Sequence, residues 1–205
     1  MKSVTCRCDA VVEVDAPDEL DLDADPGRLP SLYDGSFLSA TCPTCGSTVL
    51  PEMPIRIRSA SKGLDASVVP ETERVSVYRG KVDAPEGAEI LVGYRELFER
   101  MRMLRDGLEP RAVEVVRYCL MGRAEESDPE AEVTVFYDRL ADGRLEFHVV
   151  GLRPGQTGVV RLPFGTYEKA LADLPGSSKA EPFKTVFKGR YKSIRKLELQ
   201  DREPD

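Results

Sequence analysis

Thr41-Cys42-Pro43-Thr44-Cys45-Gly46 is the stretch on which the reading of this chain turns. Proline pre-sets a turn between the two cysteines, and the glycine after them can take a positive φ, so that backbone amides swing toward the sulfurs. This is the form of a zinc knuckle, in which two thiolates a few residues apart point at one centre. A second close pair, Cys6-Arg7-Cys8, lies upstream, with 33 residues between Cys8 and Cys42. Five cysteines scattered at random over a chain of this length would give roughly 0.2 pairs at such spacings, so chance is a poor source for two. Cys6, Cys8, Cys42 and Cys45 together offer the four thiolates of a tetrahedral zinc site. The spacing does not separate zinc from iron in a rubredoxin-like site, and both metals stay open at this point.

A metal that closes the loop between the pairs would order an N-terminal module. Around the cysteines the sequence reads as short strands and turns, with β-branched or alternating apolar residues at 10–14, 36–41, 49–58, 65–69 and 74–78. One short helix is expected there, with Pro26 in its first turn, Leu29, Leu32 and Tyr33 as its apolar stripe, and Gly35 at its end. Residues 1–82 form this module, and 83–87 have the composition of a linker. Beyond it, 88–200 read as an α+β region. Ile90, Tyr94, Leu97, Phe98, Met101 and Leu104 share a helical face that stops at Asp106-Gly107. A second helix opens at Pro110, carries Ala112, Val115, Val116, Cys119 and Leu120, and ends at Gly122. The short connection predicts an antiparallel helix pair. Alternation returns at 132–137 and 144–150 around Ala141-Asp142-Gly143, a β-hairpin signature, with a third strand at 158–162. A short helix over 164–174 ends at Pro175, and 201–205 read as a frayed end. The fold class is α+β: an N-terminal zinc-ribbon-like β module, then an α+β region with a helix pair and a β-hairpin.

These features resemble the CpXC family of bacterial and archaeal proteins, named for paired Cys-Pro-x-Cys motifs. The likeness runs through Asp25-Pro26 and the helix ending near Gly35, through Phe37-Leu38-Ser39-Ala40-Thr41-Cys42-Pro43-Thr44-Cys45-Gly46, and on to Val68-Val69-Pro70. It continues in Phe98-Glu99-Arg100-Met101-Arg102-Met103-Leu104-Arg105-Asp106-Gly107-Leu108, in Ala112-Val113-Glu114-Val115-Val116, and in the hairpin and 164–174 segment. The resemblance implies a cysteine-rich, zinc-binding module and no established reaction. Where the family carries its first Cys-Pro-x-Cys, this chain has Cys6-Arg7-Cys8, one residue shorter and without proline.

Other chemistry is thinly represented. The single histidine, His148, is expected on a strand face beside Glu146 without a catalytic partner, and neither a Gly-x-Ser-x-Gly elbow nor a His-Glu-x-x-His helix is present. Cys119 falls on an apolar stripe and reads as a core residue. The acidic run 18–25 resembles a calcium loop, but Pro26 stands at the sixth position where glycine is needed and Leu32 at the twelfth where glutamate is needed. A solvated strand and helix entry is the better reading. Pro154-Gly155-Gln156-Thr157-Gly158 lacks a following lysine and reads as a turn.

Charge narrows the partners. A net charge of −7 argues against phosphate binding by the whole surface. One stretch departs from it: Lys184, Lys188, Arg190, Lys192, Arg195 and Lys196 follow one another with no acid and with Phe183, Phe187 and Tyr191 interleaved. A nucleic-acid or acidic-partner surface has this composition; so does an amphipathic element with its aromatics turned inward. The longest strictly apolar run is four residues, Tyr118 to Met121, so no membrane span is expected, and the absence of a signal-like opening predicts a cytoplasmic protein. Four thiolates close a zinc coordination sphere, which points to a structural metal in a non-catalytic protein-interaction or scaffold module. Two alternatives follow from the tight Cys6-Arg7-Cys8 turn: a thiol redox switch or zinc-release sensor using Cys6 and Cys8, and, ranked last, a water-activating zinc left with three ligands.

Overall fold

A computed structural model of the chain describes residues 1–129 and 131–200. The expected frayed end at 201–205 lies outside the described residues. Two compact units divide the chain, Met1–Phe98 and Glu99–Asp205.

The first unit begins with a hairpin of β1 (Lys2–Thr5) and β2 (Val11–Val14). The acidic run then forms β3 (Glu19–Asp21), and a 3₁₀ turn at Pro26–Arg28 leads into α1 (Leu29–Asp34), closed by Gly35 at φ 86° as its sequence predicts. A second small hairpin follows, β4 (Ala40–Thr41) and β5 (Thr48–Val49). β6 (Ile55–Ser59) pairs parallel with β3 and antiparallel with β7 (Leu64–Val69). After α2 (Arg74–Tyr78), β8 (Glu89–Val92) pairs parallel with β7 and completes a four-stranded sheet in the order β3-β6-β7-β8. Alternation gives β6 and β7 a buried face of Ile55, Ile57, Leu64, Ala66 and Val68. The acidic run ties this sheet together: Asp23 accepts hydrogen bonds from the hydroxyls of Ser59 and Ser61 and from the Ser61 amide, which holds its carboxyl down at about 2.

Three local expectations change in this unit. Residues 36–41 are a strand only at Ala40–Thr41, because a turn from Ser36 to Ser39 with Leu38 at φ 62° buries Phe37 and Leu38. Pro51 and Pro54 split 49–58, since proline cannot donate to a ladder. Residues 74–78 are helical: Arg74 and Val77, three apart, turn inward, while Val75 is exposed. The Arg74 guanidinium donates to Glu71, to Glu96 and to the Val92 carbonyl, and that buried anchoring outweighs the strand propensity of five residues.

The unit boundary falls within α3 (Gly93–Arg105). In the second unit α4 (Pro110–Ser127) runs past Gly122, since a glycine inside a well-packed helix costs only ~1 kcal/mol. β9 (Thr134–Ala141), β10 (Arg144–Val150) and β11 (Thr157–Pro163) form an antiparallel sheet in the order β11-β10-β9. The two residues Asp142 and Gly143, both at positive φ, make the tight primed turn foreseen for this hairpin. α5 (Phe164–Ser177), α6 (Phe183–Val186) and α7 (Arg195–Gln200) complete the chain. The helix pair is present in sequence order, but α4 lies mainly along α5 and β9. Its Ala112, Val113, Val116 and Leu120 join Val135, Tyr137, Leu145, Phe147 and Tyr167 in one core. Ile90 belongs to β8 and not to the helix expected to include it, because Ile90-Leu91-Val92 is a fully buried strand run that periodicity cannot tell from a helix.

Gly151 is the most constrained turn residue. It sits at φ 102°, and a Cβ there would stand 2.0 Å from the Glu132 carbonyl oxygen. Gly151→Ala is expected to lower stability by at least about 2 kcal/mol in urea unfolding.

Candidate metal centre

The first cysteine pair is built by the β1–β2 hairpin. The Asp9 amide donates to the Cys6 carbonyl at 2.9 Å, the Cys6 amide donates to the Ala10 carbonyl at 2.8 Å, and Asp9 stands at φ 64°. This is a tight turn followed by a left-handed residue, in which Asp9 takes the place a glycine usually fills. It lets a Cys-x-Cys pair without proline aim both sulfurs inward. The sequence signal was the aspartate directly after the pair.

The second pair occupies the turn between β4 and β5. The Cys42 amide donates to the Ser47 carbonyl and the Gly46 amide to the Cys42 carbonyl, both at 2.9 Å, with Gly46 at φ 72°. Proline and glycine act here as the sequence predicts. The Cys45 and Thr44 amides aim at the Cys42 sulfur and lower its pKa. The Ser47 hydroxyl and amide, then Cys8 and Cys6, hold Cys45 down to about 6. At Cys8 the Ala10 amide pulls the other way from Cys45, desolvation, Cys42 and Cys6, which together push that thiol up to about 12. Four thiols in so small a space cannot all ionise without a cation, and the proton left on Cys8 is one that a metal would displace.

The two hairpins bring the four sulfurs within 4.8 Å of one another. Cys6 Sγ lies 3.6 Å from Cys45 Sγ, and Cys8 Sγ lies 3.7 Å from Cys42 Sγ. A tetrahedron with metal–sulfur bonds near ~2.3 Å has sulfur–sulfur edges of roughly 3.8 Å, so the spacing fits a four-thiolate metal and is too long for disulfides. Cys6 and Cys42 are buried, Cys8 and Cys45 exposed. The four cysteines could therefore hold a metal ion. Around the sulfurs the module has little else: Val12 is the one other fully buried member of the cluster that holds Cys6 and Cys42, edged by Val4, Ala10, Ala40 and Val49. Two-stranded hairpins of this size are marginal without a further constraint.

The other candidates take structural positions. His148 is partly exposed on β10, with Nε2 3.8 Å from Asp138 Oδ2, and Glu146 on the same face is bound by Arg139 and Arg161. Cys119, read as a core residue, is exposed: the buried face of α4 is rotated toward Val113 and Val116 and includes the charged pair Glu114 and Arg117. In the basic stretch Phe183 and Tyr191 are buried, Phe183 joins Val186 and Ile194 in a small core, and Lys196 Nζ donates to the Val186 and Lys188 carbonyls at 2.8 and 2.7 Å. Half-burial lowers the Lys196 pKa to about 8. The inward-facing amphipathic reading of this stretch describes these contacts; Lys184, Lys188 and Arg190 remain exposed. No helix among the described residues is long and apolar enough to cross a membrane.

Two hairpins presenting two cysteines each define a mixed α+β protein with a zinc-ribbon-like cysteine cluster. The model of the CpXC protein family matches residues 4–117, which include all four cysteines, and the chain belongs to that family. An uncharacterized protein of Treponema pallidum (strain Nichols) is 26% identical over 217 residues, covering 96% of this chain and 98% of that protein. No solved structure matches the chain.

Proposed function

We propose that Cys6, Cys8, Cys42 and Cys45 bind one zinc ion as a structural metal, and that the protein serves as a non-catalytic interaction or scaffold module in the cytoplasm. The observation that carries this reading is the set of four sulfurs at tetrahedral spacing, supplied by two hairpins that have almost no apolar core of their own. Zinc would use all four protein ligands and so leave no position for an activated water. Its binding would stabilise the module formed by 1–82, with the region 88–200 supplying the partner surface.

Elemental analysis on reduced, untagged protein tests this. One zinc per chain and four additional reactive thiols after chelation are expected, with affinity falling as the pH drops because protons compete for the sulfurs. A chain that stays metal-free and resists proteolysis within residues 1–49 would overturn the reading. Iron would announce itself by visible thiolate charge-transfer absorption, which zinc lacks.

A second reading, a redox-sensitive zinc-release site, draws on the exposure of Cys8 and Cys45. Each of these sulfurs has a buried cysteine of the other hairpin as its near neighbour, so oxidation would cross-link the hairpins in place of joining Cys6 to Cys8. Stoichiometric zinc release by mild peroxide, reversed by a thiol reductant, is the result that favours it.

A further inference from the structure

The second unit contains a groove of about 580 Å³ that the metal centre does not use. Its walls are α4, the corner where β11 enters α5, and α5 itself. Val116 and Leu120 of α4 face Leu162 and Pro163, and the small residues Gly165 and Ala170 leave the space between them open. The lining is predominantly apolar, as in small-molecule sites of this size. Two cations stand in it from opposite walls, Arg123 of α4 and Lys169 of α5. Both are exposed, and no ion pair ties either of them to another described residue. Asp173, one helical turn beyond Lys169, also lines the groove, so its three charged residues leave one net positive charge. An apolar slot with a single excess positive charge, in a chain whose net charge is −7, complements one kind of occupant: an apolar chain ending in one anionic group.

We propose that the α4–α5 groove binds a small amphipathic carboxylate of the medium-chain fatty-acid class, its chain against Val116, Leu120 and Leu162 and its carboxylate between Arg123 and Lys169. Cys119 also lines the groove and is exposed, which makes its thiol a built-in reporter of occupancy.

Decanoate, decan-1-ol and decyltrimethylammonium are the probes, matched in chain and different in head group. Alkylation of the full-length protein by iodoacetamide is followed on the peptide that carries Cys119, which separates it from the four clustered cysteines. Saturating decanoate is expected to slow Cys119 alkylation about tenfold, because an occupant of such a groove buries most of its surface against the walls. The alcohol should need a roughly tenfold higher concentration for equal protection, the ammonium should give none, and the double variant R123E/K169E, with unchanged circular dichroism, should lose the preference for decanoate. Equal protection by all three probes would overturn the assignment, as would no protection by decanoate. Protection that rises with protein concentration alone would assign the groove to a second copy of the chain and overturn it too.

Discussion

Cys42→Ser is expected to yield protein with no stoichiometric zinc and with rapid proteolytic cleavage confined to residues 1–49. Cys42 is 1% exposed and sits with Cys6 and Val12 at the centre of the two-hairpin cluster. Its sulfur receives the Thr44 and Cys45 amides, so serine removes a soft ligand and misplaces the donors aimed at it. Structural four-thiolate zinc sites contribute roughly 10–16 kcal/mol of apparent binding energy at neutral pH, and in hairpins this small that binding energy is also most of the folding energy. The exposed ligand gives the contrast: Cys8→Ser should weaken the site while leaving partial, pH-dependent metal binding, since a water can reach the vacated position. Metal content and timed proteolysis check both variants. A Cys42→Ser protein that retains one zinc per chain would sink the structural assignment.

Arg117→Ala is expected to produce the largest loss of stability in the second unit, about 3–5 kcal/mol, the usual cost of orphaning partners in a buried ion network. The Arg117 side chain is 2% exposed and bonds Glu114 Oε1 at 2.6 Å and the Val135 carbonyl at 2.9 Å, with Glu99 Oε2 at 3.8 Å. Glu114 in turn accepts the Ile194 amide at 2.8 Å, and Glu99 accepts the Tyr137 amide, so the guanidinium joins α3, α4, β9 and the C-terminal segment. Removing it takes the guanidinium away from two buried carboxylates, Glu99 and Glu114. Urea midpoints of the unaltered protein and the variant at neutral pH test this. A deficit of about a few tenths of a kcal/mol would show that Arg117 is not an anchor.

The buried face of α4 also explains why part of the fold was hidden from sequence reading. A stripe drawn through Ala112, Val115, Val116, Cys119 and Leu120 is the best apolar face available, yet the helix turns Glu114 and Arg117 inward and leaves Cys119 outside. Periodicity scores single residues by polarity, whereas burial here is decided by a charge network whose members come from four segments. The same holds at Arg74, whose partners Glu71, Val92 and Glu96 make a helix of a stretch that alternates like a strand. Glycine marked the turns correctly at Gly35, which closes α1, and at Asp142-Gly143, which turns the hairpin, whereas Gly122 and Pro175, expected to end helices, lie inside α4 and α5.

Local chemistry in the chain was enough to establish the cysteine pairs, the knuckle turn of the second pair, the β-hairpin and the mixed α+β class, because each depends on dihedral preferences and ligand spacing within a few residues. Distances between the pairs were beyond its reach. That Cys6 meets Cys45 and Cys8 meets Cys42, and that Cys119 opens onto a groove, follow from how separate elements pack. Those outcomes depend on contacts between residues tens of positions apart, whose energies no local pattern contains.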